Sequence, residues 1–172
     1  PNLAIDGLNS SIWQYGYTNI YGQFNTMNIR GDTEFFIRYF GVENSEVLAG
    51  VYQTTEPGEF NDIYNEIEKE SLFVRGLKSW WYSVVRFVAP EDGVYQIDCK
   101  WTAVLEEANT MINYVATNSD TESGFVYDST PEGFKTIFSS NPIGFTSSSG
   151  FGKLVTLKAG DELHFGAGSS ND

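Results

Sequence analysis

Trp80, Tyr82 and Arg86 are the residues of this chain best suited to hold a ligand. In WWYSVVRFV (80–88), two-residue alternation sets Trp81, Ser83, Val85 and Phe87 on one side of a strand, with Trp80, Tyr82, Val84, Arg86 and Val88 on the other. Two rings beside a guanidinium could stack on the apolar face of a sugar or anchor a protein contact, with Arg86 orienting the ligand. Asn171 and Asp172 would add polar contacts from the C-terminal loop. The competing expectation is that a second sheet, or the connection over 56–76, covers these rings, because aromatic side chains are highly buried on average. Trp13, Tyr15 and Tyr17 also share one strand face, either a core face or a second aromatic platform.

Other chemistry has less to work with. His164 is the single histidine, and alternation opposes it to Leu163 and Phe165, so it is expected to point outward. No Gly-x-Ser-x-Gly elbow accompanies it, and a zinc hydrolase would need more ligands of its kind. No catalytic residue is assigned, and the chain is read as a non-enzyme. Asp62, Glu66, Glu68 and Glu70 form an acidic run of the kind that usually makes a solvated face. Asp120 and Glu122, in NSDTE (118–122), together with Asp128, offer loop oxygens. Calcium favours six to eight such oxygens, so it is the one metal these loops could take, although no EF-hand pattern is present. No cofactor is required.

These groups must be positioned by strands. The 172 residues include 13 Phe, 10 Tyr, 4 Trp and 17 Gly, a composition that suits pleated sheets joined by tight turns. Strands are predicted near 11–17, 23–29, 34–42, 72–74, 110–118 and 133–140. The segment 56–76 carries Phe60, Ile63, Tyr64 and Ile67 at helical spacing, which predicts at most one short helix around residues 60–68. Two hairpins are expected. One turns at Pro90–Gly93, with Tyr95, Ile97, Cys99, Trp101 and Ala103 inward. The other turns at Ala159–Glu162, pairing Val155 and Leu157 with Leu163 and Phe165. Residues 139–152 read as a polar, flexible stretch. The sum is a single all-β domain over 1–172, an antiparallel β-sandwich or jelly roll.

A formal charge of −13 argues against nucleic acid, whose phosphates need a basic field, and against anionic membrane surfaces. No apolar run is long enough to insert in a bilayer. Neutral ligands and protein surfaces remain.

The pair YSVVRFVAPEDGVYQI (82–97) and VTLKAGDELHFGAG (155–168) resembles bacterial carbohydrate-binding-like β-sandwich domains. In those, a strand ending Arg-Phe-x-Ala-Pro meets Gly-x-Tyr, and a later hairpin carries Leu-x-x-Gly-Asp-x-(Leu/Ile)-x-Phe. IWQYGY (12–17) resembles their early Trp-x-Tyr-Gly. The same signatures are similar to trimeric jelly rolls of the tumour-necrosis-factor and complement globular-head type, and to phage fibre tips. The likeness spans about a third of the chain, and its motifs are turn chemistry. It implies an extracellular or surface-exposed binding or adhesion module, on a cell or a virion, with carbohydrate or a protein surface as partner. The alternative is a structural subunit: a fibre tip, a capsid decoration or an extracellular filament protein, as a trimer or filament. Such domains usually finish with one more strand after the position of GAGSSND, which leaves either an open edge that needs protecting or a strand supplied by another chain, as in a homo-oligomer with strand donation at the C-terminal edge.

Overall fold

A computed structural model describes residues 12–18, 23–27, 29–32, 36–40, 50–54, 72–75, 82–103, 111–125, 130, 132–140 and 147–169. The strands are β1 (Trp13–Thr18), β2 (Phe24–Thr26), β3 (Ile29–Asp32), β4 (Phe36–Phe40), β5 (Gly50–Thr54), β6 (Leu72–Arg75), β7 (Tyr82–Val88), β8 (Gly93–Thr102), β9 (Met111–Thr117), β10 (Lys135–Ser139), β11 (Ser148–Leu157) and β12 (Glu162–Ser169). All strand pairings are antiparallel. Among the described residues there is no helix, and so none long and apolar enough to cross a membrane. The all-β class predicted by the alternation is what the chain adopts. The predicted helix around residues 60–68 lies outside the described residues.

The strands form a six-stranded sheet in the order β10-β9-β12-β7-β1-β2, a two-stranded ribbon β11-β8, and a four-stranded sheet β3-β4-β5-β6. Neither expected hairpin is one. β7 pairs with β1 and β12, whereas β8 pairs only with β11 among the described strands, so each turn carries the chain from one sheet to the other. Alternation reports which side chains face inward, and it is the same whether successive strands lie side by side or face to face. The two corners bind each other instead. Ala89 N–H donates to Asp161 O (2.8 Å), and Gly160 N–H donates to Ala89 O (2.8 Å). Ala159 N–H donates to the Asp92 carboxylate (2.8 Å). Gly160 sits at φ +88°, a backbone conformation that favours glycine, which is why this corner carries one.

The ribbon packs on one face of the six-stranded sheet. Ile97, Val155 and Leu157 from the ribbon side meet Val115, Leu163 and Ala89, with Phe87, Tyr95, Trp101, Phe138, Phe151 and Phe165 around them. Trp101 stacks on Phe138 with rings 5.6 Å apart and 7° from parallel, and Phe151 follows at 4.9 Å from Phe138. Each fully buried Val or Leu here is worth about 1.5–3 kcal/mol over exposure.

The sheet's second face is also buried. It carries Tyr82, Val84, Tyr114 and Ala116, with Phe24 and Phe134 against them. β5 and β6 approach β7, β1 and β12. Since β7 has strand neighbours on both sides, they reach it only across a face, and the first face is filled by the ribbon. β12 lies between β9 and β7 and continues through the glycines to Ser169. β12 pairs with β9 along its length, down to Ser169↔Met111, and with β7 at Glu162↔Val88.

Candidate functional site

The outward platform is overturned at Tyr82. Its side chain is only 2% exposed and meets Tyr114 edge-on, with rings 5.2 Å apart and 81° between planes. His164, also expected outward, is 1% exposed. Both misreadings have one cause. Alternation assigned the correct face, but that face of the sheet is covered. Trp80, Asn171 and Asp172 lie outside the described residues.

Arg86 is half-buried on the same face and anchors a polar cluster. It pairs with Glu162 on the adjacent β12 (3.4 Å), donates to Gln14 Oε1 on β1, and lies over the Phe24 ring at 3.9 Å. Glu162 Oε2 stands 3.0 Å from His164 Nε2. The imidazole sits between Phe134 (4.2 Å) and Phe24 (5.5 Å). Burial holds the His164 pKa below the ordinary histidine value, and Glu162 opposes it in part. Burial alone would raise Glu162, but the His164 hydrogen bond and the Arg86 charge outweigh it and hold the carboxyl below the usual range. A guanidinium, a carboxylate and a neutral ring sum to no net charge, which is how a buried face accommodates them. The cluster ties β1, β7 and β12 together, with the imidazole held between two phenylalanines.

Of the loop carboxylates expected to hold calcium, that of Glu122 is engaged by a lysine. Glu122 accepts Lys153 Nζ at 2.5 Å and Thr156 N–H at 3.0 Å. Lys135 Nζ donates to the carbonyls of Ser119 (3.4 Å) and Glu122 (3.2 Å). Burial would raise the Glu122 pKa, but Lys153 and the Thr156 amide pull it below the ordinary value. Asp120 is exposed, Asp128 lies outside the described residues, and no group of three or more His, Cys, Asp or Glu is placed to hold a metal among the described residues. The loop is a tie between β9 and the ribbon. Ser119 Oγ and Thr121 Oγ1 both donate to Thr156 O, at 3.1 and 2.5 Å.

Among the described residues, the ribbon's outer face carries two of the exposed large apolar side chains. Val94, Gln96, Asp98, Lys100 and Thr102 on β8 oppose Thr156, Leu154, Gly152, Gly150 and Ser148 on β11. Val94 is 66% exposed and Leu154 63%. A groove of about 390 Å³ is lined by Gln96, Ile97, Asp98, Gly152, Lys153 and Leu154. Cys99, next to Asp98 in β8, is half-buried against the core, its thiol pushed up to about 11 by burial and by the neighbouring Asp98 charge. Two signals for this surface stood in the sequence. Val94 and Leu154 are apolar on the polar phase of their strands, and Gly150 and Gly152 interrupt a strand pattern without turning it. Likewise Glu162 and His164, two apart, share a strand face.

No family model, curated protein or solved structure matches this chain.

Proposed function

We propose that the chain is a non-catalytic binding or adhesion module, extracellular or surface-exposed, that takes neutral carbohydrate on the outer face of the β8–β11 ribbon, and that its antiparallel sheets form a jelly-roll-type sandwich. The groove beside Asp98 carries the reading. Its volume falls within the range of small-ligand sites, about 300–1,000 Å³. Asp98 and Gln96 supply hydrogen-bonding groups for hydroxyls, Leu154 supplies an apolar wall for the C–H face of a sugar, and Gly152 leaves room between them. The Asp98 and Lys100 charges offset each other, which suits an uncharged ligand, and the overall −13 disfavours polyanions. Calcium has no part in this proposal, since Lys153 and Lys135 supply the cations at the 118–122 loop.

The test is a glycan array followed by affinity electrophoresis. Asp98→Ala and Leu154→Ala are expected to lose the retardation shown by the wild type while keeping its melting temperature. A Trp80→Ala arm asks whether that ring contributes, as the sequence suggests. A wild-type protein that is retarded by no glycan removes the proposal.

A further inference from the structure

The ribbon has two long edges, and hydrogen-bond parity shows which backbone groups each one displays. Thr156 N–H and C=O point away from β8, because they are taken by Glu122, Ser119 and Thr121 of the 118–122 loop. Ser147 O accepts from Ala103 N–H and Phe151 O receives the Cys99 thiol, so odd-numbered residues of β11 face β8. Antiparallel ladders alternate strictly. The N–H and C=O groups of Gly150, Gly152 and Leu154 therefore point out of the β11 edge, and by the same parity Gln96, Asp98 and Lys100 point out of the β8 edge, neither of which pairs with another described strand.

The two edges differ in protection. Native edge strands are blunted by charged side chains, and at the β8 edge Asp98 and Lys100 do this. Beyond Thr156, where the loop ends, the β11 edge has two glycines and an exposed leucine at its displayed positions. Internal packing does not ask for these glycines. A Cβ on Gly150 would come no closer than 3.6 Å to Cys99 O, and one on Gly152 no closer than 3.9 Å to Ile97 O, both ordinary contacts.

We propose that the β11 edge, Gly150 to Leu154, pairs antiparallel with the same edge of a second copy of this chain, joining two ribbons into a four-stranded sheet β8–β11–β11–β8. The segment is complementary to itself. With the twofold axis at Gly152, Leu154 of each copy stands opposite Gly150 of the other, so the one large side chain fills the gap left by the missing one. Gly152 faces Gly152 as a hydrogen-bonded pair. The 118–122 loop stops the pairing at Thr156 and limits it to these few residues. An interface used by both copies in the same way closes at two. The inference does not depend on the carbohydrate reading, since it is argued from the backbone groups of the edge, although Gly152 and Leu154 belong to both surfaces.

Sedimentation equilibrium between about 10 µM and 1 mM, the range suited to a small interface, tests it. The wild type is expected to approach twice its 19.2-kDa mass. Leu154→Lys, which places a charge on the edge, is expected to weaken dimerisation at least tenfold, while Gln96→Lys on the other edge leaves it unchanged. Gly152→Cys is expected to yield a disulfide-linked dimer on a non-reducing gel that the wild type does not show. The Cα–Cα distance of a hydrogen-bonded pair, about 5.5 Å, lies within disulfide reach. A wild type monomeric throughout, a trimer or open polymer, a dimer indifferent to Leu154→Lys, or a Gly152→Cys protein that stays monomeric on the gel overturns it.

Discussion

Gly166, in the middle of β12, lies against the ring of Tyr114 on β9. An added Cβ would stand 2.2 Å from Tyr114 Cε1, 2.3 Å from Cζ and 2.7 Å from the hydroxyl oxygen. Ordinary contact begins near 3.4 Å, so the ring or the strand must move by about an ångström. Neither has room. Tyr114 is 5% exposed, and Tyr82 bears edge-on against it. Overpacking of this kind costs about 1–3 kcal/mol, and displacing the ring from Tyr82 forfeits part of an aromatic pair. For a domain of this size each kcal/mol lowers the melting temperature by about 2–4 °C, so Gly166→Ala is expected to melt about 2–12 °C below the wild type. Calorimetry measures the shift. Tyr114→Leu provides the internal check. It removes the obstructing atoms, so adding Gly166→Ala to it should cost much less than in the wild-type background. A Gly166→Ala protein as stable as wild type, or two substitutions whose effects simply add, would refute the packing of β9 against β12 described above.

Acid should destabilise the protein in two stages. His164 is the single histidine, and burial depresses its pKa, so the stability it carries is complete above 6.5 and is lost as pH falls from there through the folded value. Glu162, also depressed, extends the loss below 4.5. Urea midpoints should hold from pH 8 to about 6.5 and fall below it, and His164→Gln should flatten the upper stage; an unchanged slope would show that another group is responsible. Cys99 should react sluggishly with iodoacetamide at pH 8. A shift from 9.0 to about 11 leaves about a hundredfold less thiolate than a free cysteine holds, and reactivity should return in urea. Asp92→Ala removes the acceptor of the Ala159 amide and so loosens the two corners from each other, for an expected loss of about 1 kcal/mol read from a denaturation curve.

Much of the strand content could be read from side-chain period alone, because β8 keeps a strict apolar-in, polar-out order from Tyr95 to Ala103 and the structure buries it in that order. Pairing could not be read in this way. A turn such as Ala-Pro-Glu-Asp-Gly closes a hairpin or rounds a corner between sheets, and only the long-range partners β1, β11 and β12 distinguish the two. The start of β11 was hidden by composition. Ser148, Ser149, Gly150 and Gly152 look like a loop, yet they pair residue for residue with Thr102, Trp101, Lys100 and Asp98. Exposure was misread for a related reason. A strand covered on both faces has no outside, so Tyr82 and Arg86 support internal contacts, whereas the ribbon's outer face leaves Val94 and Leu154 exposed. Glu122 was legible as an oxygen ligand but not as the partner of Lys153, which lies 31 residues away.

Salt separates the two proposed surfaces. Each copy carries a formal −13, so bringing two β11 edges together sets like charge against like, and the segment itself contributes only Lys153, already paired with Glu122. Repulsion spread over a whole surface is screened as the Debye length contracts from about 10 Å at 0.1 M to about 3 Å at 1 M ionic strength. The backbone hydrogen bonds and the Leu154–Gly150 contact are short-ranged and are not weakened in proportion. Dimerisation should therefore tighten as sodium chloride rises from 0.05 to 1 M, opposite to the behaviour of an interface held by ion pairs. Binding of an uncharged sugar beside Asp98 involves no such repulsion and should change little over the same range. Sedimentation and affinity electrophoresis along one salt series measure both. A dimer that dissociates as salt is added would mean that charge pairs, not the β11 backbone, hold the copies together.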